Sequence, residues 1–183
     1  MPATLETSVP PFASGQDFVI LPAPVSVTLE PGEVATLSYT DTQGLLTQLD
    51  FSADAVDQAT LVRLVPYLTS GGAGFTFAGH AFHLEASQEG IPQPGFAFGS
   101  PVTMTIQYSN DDVRLVSDES QLALWWRSES EWQDAAETCN PASTYTRDET
   151  NNVLSVPVCH LSLFGLFGPT NQVYLPLAMR RNP

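Results

Sequence analysis

Three consecutive residues, His160, Leu161 and Ser162, have the types and spacing to do chemistry together. They lie in the apolar stretch Val158-Cys159-His160-Leu161-Ser162-Leu163-Phe164. An imidazole and a hydroxyl two positions apart in a strand point to one face. His160 can then act as general base toward the Ser162 hydroxyl. The nearest carbonyl to that hydroxyl belongs to Leu161, and attack on it closes a five-membered ring. Collapse replaces the amide by an ester, water hydrolyses the ester, and the backbone is cut between Leu161 and Ser162. The reaction needs a base, a hydroxyl and a strained peptide held by packing. It runs once, in cis, without a cofactor. A His-x-Ser tripeptide also arises by chance. The competing expectation is therefore a plain structural or adhesive module in which His160 and Ser162 are packing residues.

The other candidates are weaker. His80 and His83, with Glu85, could suggest a metal, but in a strand the two histidines point to opposite faces. Spacing supplies no third ligand, so two partly exposed strand histidines and no metal site are expected. Asp111-Asp112 and Asp118-Glu119 lack the ligand spacing and glycine of a calcium loop and read as solvated acidic turns. Ligand binding through these acidic loops ranks last among the functions. Neither a G-x-S-x-G motif nor a phosphate-binding glycine loop is present, and no cofactor is expected. Phe and Trp residues at period two read as core rather than as a sugar platform.

The chain has two cysteines, Cys139 and Cys159. The segment between them is polar and turn-rich and reads as a loop leading into a strand. Pairing would close that loop and contribute roughly 3 kcal/mol in the chain-entropy model. It would also imply an oxidising compartment. The alternative is two buried free thiols in a cytosolic protein; pairing is the favoured reading.

The elements that must position these residues are strands. Residues 1–16 are rich in Pro, Ser, Thr and Gly and read as a linker. From residue 17 the pattern is short strands and turns. Val25–Thr40 alternates on both sides of Pro31-Gly32, a hairpin-like turn signal. In Thr60–Leu68, Val62 and Leu64 are available to one face. Phe75 and Phe77 are two apart, as a strand face requires. In Val102–Tyr108, Val102, Met104, Ile106 and Tyr108 share one face, and Thr103, Thr105 and Gln107 the other. Residues 109–121 are acidic and suit a turn or short helix. Gln121–Cys139 reads as a hairpin carrying Trp125, Trp126 and Trp132, and Val153–Phe167 reads as the last strong strand. No amphipathic helix of ten residues is evident. The expectation is an all-β, antiparallel β-sandwich over residues 17–168 with roughly eight to twelve short strands and little helix, then a tail over 169–183.

The series Trp125-Trp126, Trp132, Cys139 and Cys159-His160-Leu161-Ser162 resembles the proteolysis-site motif of the GAIN domain of adhesion receptors. It is also similar to the ZU-type β-sandwich of netrin receptors and ankyrins. Upstream, Gly44–Pro66 resembles the part of that sandwich where an Ala-x-Ala-Val turn precedes an alternating strand. The resemblance spans roughly residues 33–168. It implies a self-cleaving sandwich with His160 as base, Leu161 as donor of the attacked carbonyl and Ser162 as nucleophile. Cys139 and Cys159 would form one of the family's disulfides. The receptor motif carries four cysteines, and this chain has two.

Composition bounds the rest. With 43% hydrophobic residues the chain has enough apolar content for a globular core. Twenty acidic residues face six basic ones, all Arg, for a formal net charge of −14. Such a surface repels phosphates, which makes nucleic acid and anionic membranes poor partners. There is no run of eighteen apolar residues, so no membrane span is expected. The N-terminal segment lacks the basic and apolar regions of a signal peptide. Together these readings describe an extracellular module of a larger, bacterial-type surface or secreted protein. Its first partner would be its own C-terminal strand, held non-covalently after any cut.

Overall fold

Alternation of apolar and polar residues builds most of the longer strands. The computed structural model describes residues 22–69, 74–129 and 131–170. The strands are β1 (Val25–Leu29), β2 (Ala35–Thr40), β3 (Leu46–Phe51), β4 (Thr60–Pro66), β5 (Phe75–Gln88), β6 (Ile91–Pro92), β7 (Ala97–Gln107), β8 (Ala123–Ser128), β9 (Glu131–Asp134), β10 (Thr146–Asp148), β11 (Val153–His160) and β12 (Leu163–Pro169). Helix among the described residues is limited to α1 (Asn110–Val113) and two 3-10 turns, Glu119–Gln121 and Ala135–Thr138. The expected linker over 1–16 lies outside the described residues, as does the expected tail beyond Thr170. The sandwich itself runs to Pro169, and Thr170 forms a bridge with Val116.

The strands form two antiparallel sheets. One runs β1-β4-β5-β12-β8-β9, with β6 attached to β5, and the other β10-β11-β7-β3-β2. Their inner faces pack on each other, as in a sandwich. Val102, Met104 and Ile106 on β7 are fully buried, whereas Thr103 and Gln107 are exposed. Opposite them on β11, Leu154, Val156 and Val158 are also buried, in register with Ile106, Met104 and Val102. Val62 and Leu64 of β4 and Phe82 and Leu84 of β5 supply the facing layer. A one-residue slip in β7 would expel three such side chains, so the pattern fixes the register.

Three sequence expectations change. Pro31-Gly32 does not close a hairpin: β1 pairs with β4 in one sheet and β2 with β3 in the other, so the turn is a corner between layers. Val153–Phe167 is two strands in different sheets, β11 and β12, rather than one. Phe75, Trp125 and Trp132 do not lie between the sheets. Phe75 packs on Trp125 and Trp132 on Phe167, across neighbouring strands β5, β12, β8 and β9 of one sheet, and Phe75 is 41% exposed.

The crossover from β11 to β12 is what positions the candidate site. β12 lies between β5 and β8, pairing Leu163 with His83 on one side and Phe164 with Trp126 on the other. Phe164 and Leu166 are fully buried.

Candidate functional site

The chain leaves one sheet at His160 and enters the other at Leu163, so the Leu161–Ser162 peptide spans the crossing. Each side of it is tethered. The Leu161 amide donates to the Phe96 carbonyl at 2.9 Å. The Ser162 carbonyl accepts from the Leu84 amide at 3.0 Å. Leu161 is buried, while His160 and Ser162 are partly exposed. A register shift between Val158 and His160 precedes the crossing, because β7 carries a longer stretch than β11 there. Such bulges bend a strand and redirect its side chains.

His160, Leu161 and Ser162 are thus brought together, though not as a strand pair on one face. The His160 and Trp126 rings meet in a T-shaped arrangement, with centroids 4.6 Å apart. Its Nδ1 lies 3.2 Å from the Leu161 carbonyl oxygen. The Ser162 hydroxyl donates to the Arg127 carbonyl at 3.1 Å. Period-two spacing placed His160 and Ser162 on one face of one strand; the break at Leu161 removes that premise. Neither Leu161 nor Ser162 has positive φ, and their peptide is not cis. The two tethers, rather than a left-handed residue, hold the peptide in place.

A groove of about 1080 Å³ opens over this crossing. Its walls are the Gly90–Gly95 connection and the β8–β9 turn at Ser128 and Glu129. Arg63, His83 and Glu85 also line it, joined by a Glu85 carboxylate that lies 3.7 Å from Arg63 Nη1 and 3.4 Å from His83 Nδ1. Water can therefore reach Leu161 and Ser162, which an ester intermediate would require.

Cys139 and Cys159 form a disulfide, with Cα atoms 5.1 Å apart. The bridge ties the 3-10 turn Ala135–Thr138 to β11 immediately before His160. Two further bonds hold the same junction: the Cys159 amide donates to Thr138 Oγ1, and the Ser143 hydroxyl to the Pro157 carbonyl. The single hydroxyl proton of Tyr145, on the bridged loop, is shared between the Asp134 carboxylate and the Leu124 carbonyl. Its burial, followed by the Asp134 carboxylate, pushes the phenol far above its usual range. Reducing the bridge should lower unfolding stability by about 3 kcal/mol. Urea melts with and without reductant measure this, and coincident curves would contradict it.

His80 and His83 do lie on opposite faces of β5, but His80 is buried rather than partly exposed. It follows Ala78 and precedes Phe82 on the inward face, where its imidazole meets Asp112 of α1. No group of three or more metal-ligating side chains occurs among the described residues.

The resemblance put Trp126 in the motif without placing it against His160, and sequence reasoning missed Arg127 as a neighbour of the site. Adjacent tryptophans give no sign of which faces inward, and Arg127 contributes only a backbone carbonyl, which leaves no trace in residue type. No protein-family model matches the chain, and no curated protein sequence matches it significantly. No helix among the described residues is long and apolar enough to cross a membrane.

Proposed function

We propose that this chain is a GAIN- or ZU-like β-sandwich module of a larger exported protein that cuts itself once between Leu161 and Ser162. The observation that carries the reading is the crossing peptide itself. It is tethered on both sides, carries an imidazole nitrogen 3.2 Å from its carbonyl oxygen, and has the hydroxyl next in sequence. Attack by Ser162 on the Leu161 carbonyl converts the amide to an ester, and groove water hydrolyses the ester. The cut frees little, because β12 stays hydrogen-bonded between β5 and β8 and keeps Phe164 and Leu166 in the core. The disulfide and the strongly acidic surface suit a secreted or cell-surface location.

Denatured protein should therefore run as two pieces, residues 1–161 and 162–183, that co-purify before denaturation. Mass spectrometry should place Ser162 as a new N-terminus. A single band near 19.8 kDa after long incubation would reject the cut. That result would favour the second reading, a structural or adhesive sandwich. The observation on its side is the Ser162 hydroxyl, which is hydrogen-bonded to Arg127 rather than to His160.

A further inference from the structure

We propose that His160 promotes this cut as a hydrogen-bond donor to the Leu161 carbonyl oxygen, and not as the base that deprotonates Ser162. The inference rests on the self-cleavage reading and assigns a role within the same site. A carbonyl oxygen only accepts hydrogen bonds, so the 3.2 Å contact is a hydrogen bond only when Nδ1 carries a proton. In that form Nδ1 has no lone pair to offer the serine, and the lone pair left on Nε2 does not receive the Ser162 proton, which is directed to the Arg127 carbonyl instead. Trp126 packs on the ring at an interplanar angle of 79° and limits its tilt, and the Ser162 hydroxyl points its proton at the Arg127 carbonyl. The imidazole is thus placed where negative charge develops during attack, the geometry of an oxyanion-stabilising donor.

The step balances with water as the only co-reactant. Ser162 Oγ bonds to the Leu161 carbonyl carbon, the π pair moves onto the carbonyl oxygen, and the hydroxyl proton passes to groove water. The Nδ1–H bond to that oxygen shortens and strengthens as charge builds. When the carbonyl re-forms, the C–N bond breaks and the Ser162 nitrogen takes a proton back from water, leaving an ester and an amine. A second water then adds to the ester carbonyl and the C–Oγ bond breaks; one proton of that water goes to Ser162 Oγ and the other to the free Ser162 amine, leaving the Leu161 carboxylate and a Ser162 ammonium.

Donor and base roles predict opposite outcomes. An asparagine amide places an N–H donor near the position of Nδ1 but cannot act as a base at neutral pH. Full-length chains made by cell-free translation, followed on denaturing gels, give the rates. His160→Ala should cut at least about 100-fold more slowly than the parent, the usual cost of losing one such donor. His160→Asn should stay within about tenfold of the parent. The parent rate should also persist as pH falls from 8 to 5, because both the Nδ1–H form and the imidazolium can donate. His83, Glu85, Arg63, Arg127 and Glu129 share the groove. The pH series is therefore repeated with His83→Asn, the one other imidazole there, and should be unchanged. Equal loss in His160→Asn and His160→Ala, with a parent that cuts, overturns the donor role. So does a parent rate that drops about tenfold per pH unit below neutrality. Should His160→Asn fail to fold, the parent's pH profile decides alone. A parent that never cuts removes the cleavage reading and this inference together.

Discussion

Ser162→Ala should leave the chain in one piece, with no trace of a Ser162 N-terminus after incubation that fully cleaves the parent. The change deletes the only atom proposed to attack the Leu161 carbonyl, and hydrolysis of an unassisted amide is immeasurably slow on that timescale. The fold should barely register the loss. Ser162 is partly exposed and its hydroxyl makes one bond, to the Arg127 carbonyl. Deleting one such neutral bond costs about 1 kcal/mol. The tethers to Phe96 and Leu84 are backbone bonds and survive. Ser162→Cys should restore cutting through a thioester, and hydroxylamine should speed release of the C-terminal piece from both the parent and the cysteine variant. Cleavage of Ser162→Ala at the same bond would mean that another protease made the cut.

Asp112→Ala should be strongly destabilising, although it lies away from the crossing. Ser109 caps α1 in a reciprocal capping box with Asp112: its hydroxyl oxygen accepts from the Asp112 amide at 3.2 Å, and Asp112 Oδ2 accepts from the Ser109 amide at 2.7 Å and the Ser109 hydroxyl at 2.6 Å. The same carboxylate lies 3.8 Å from His80 Nε2, and the two side chains are only 8% and 4% exposed. That separation is electrostatic contact rather than a hydrogen bond. Gly79, next to His80, has φ of +79°, and the Asp112 carboxylate occupies the space where a Cβ would stand. Asp112→Ala unpairs the Ser109 amide and hydroxyl and removes the acid that the buried His80 faces, so a loss of about 3 kcal/mol is expected. Burial alone would raise the Asp112 carboxyl, but His80 and the Ser109 bonds outweigh it and hold the carboxyl below its usual range. A lowered native pKa means stability that is present above about pH 4, the unfolded value, and lost as pH falls through the native one. The gap between parent and Asp112→Ala in urea melts should therefore narrow from pH 7 to pH 3. A gap of constant size would show that packing, not charge, is what the variant loses.

Elements with strict alternation were legible in the sequence, and those that cross between sheets were not. β7 announces its inward face because every second residue from Val102 to Tyr108 is apolar or aromatic, and all four are buried. The β8–β9 hairpin is legible from its polar turn between tryptophans. The break after His160 is not, because Leu161 and Ser162 suit a strand as well as a crossing and neither Gly nor Pro marks the corner. It exists only through tertiary partners, Phe96 on one side and Leu84 on the other. Pro31-Gly32 fails in the opposite sense: a strong turn signal fixes the bend but not which strands the flanks pair with. His80 read as partly exposed because polarity alone cannot reveal a buried acid supplied from α1, thirty residues on. The Cys139–Cys159 bridge was legible because its loop is short and polar.

The position of β12 also sets an order of events during synthesis. In the finished sheet β1, β4 and β5 form one half and β8 and β9 the other, and β12 is the strand that joins them. A nascent chain that has emerged only as far as β11 therefore holds two open strand edges, on β5 and on β8. Unpaired edges invite association with other chains, and pairings distant in sequence close slowly. Sheet closure has to wait for Leu163–Pro169 to leave the ribosome, and with it the backbone bond that pins Ser162 to Leu84. Translation that stalls before this strand would release a protein with a sticky seam along β5 and β8.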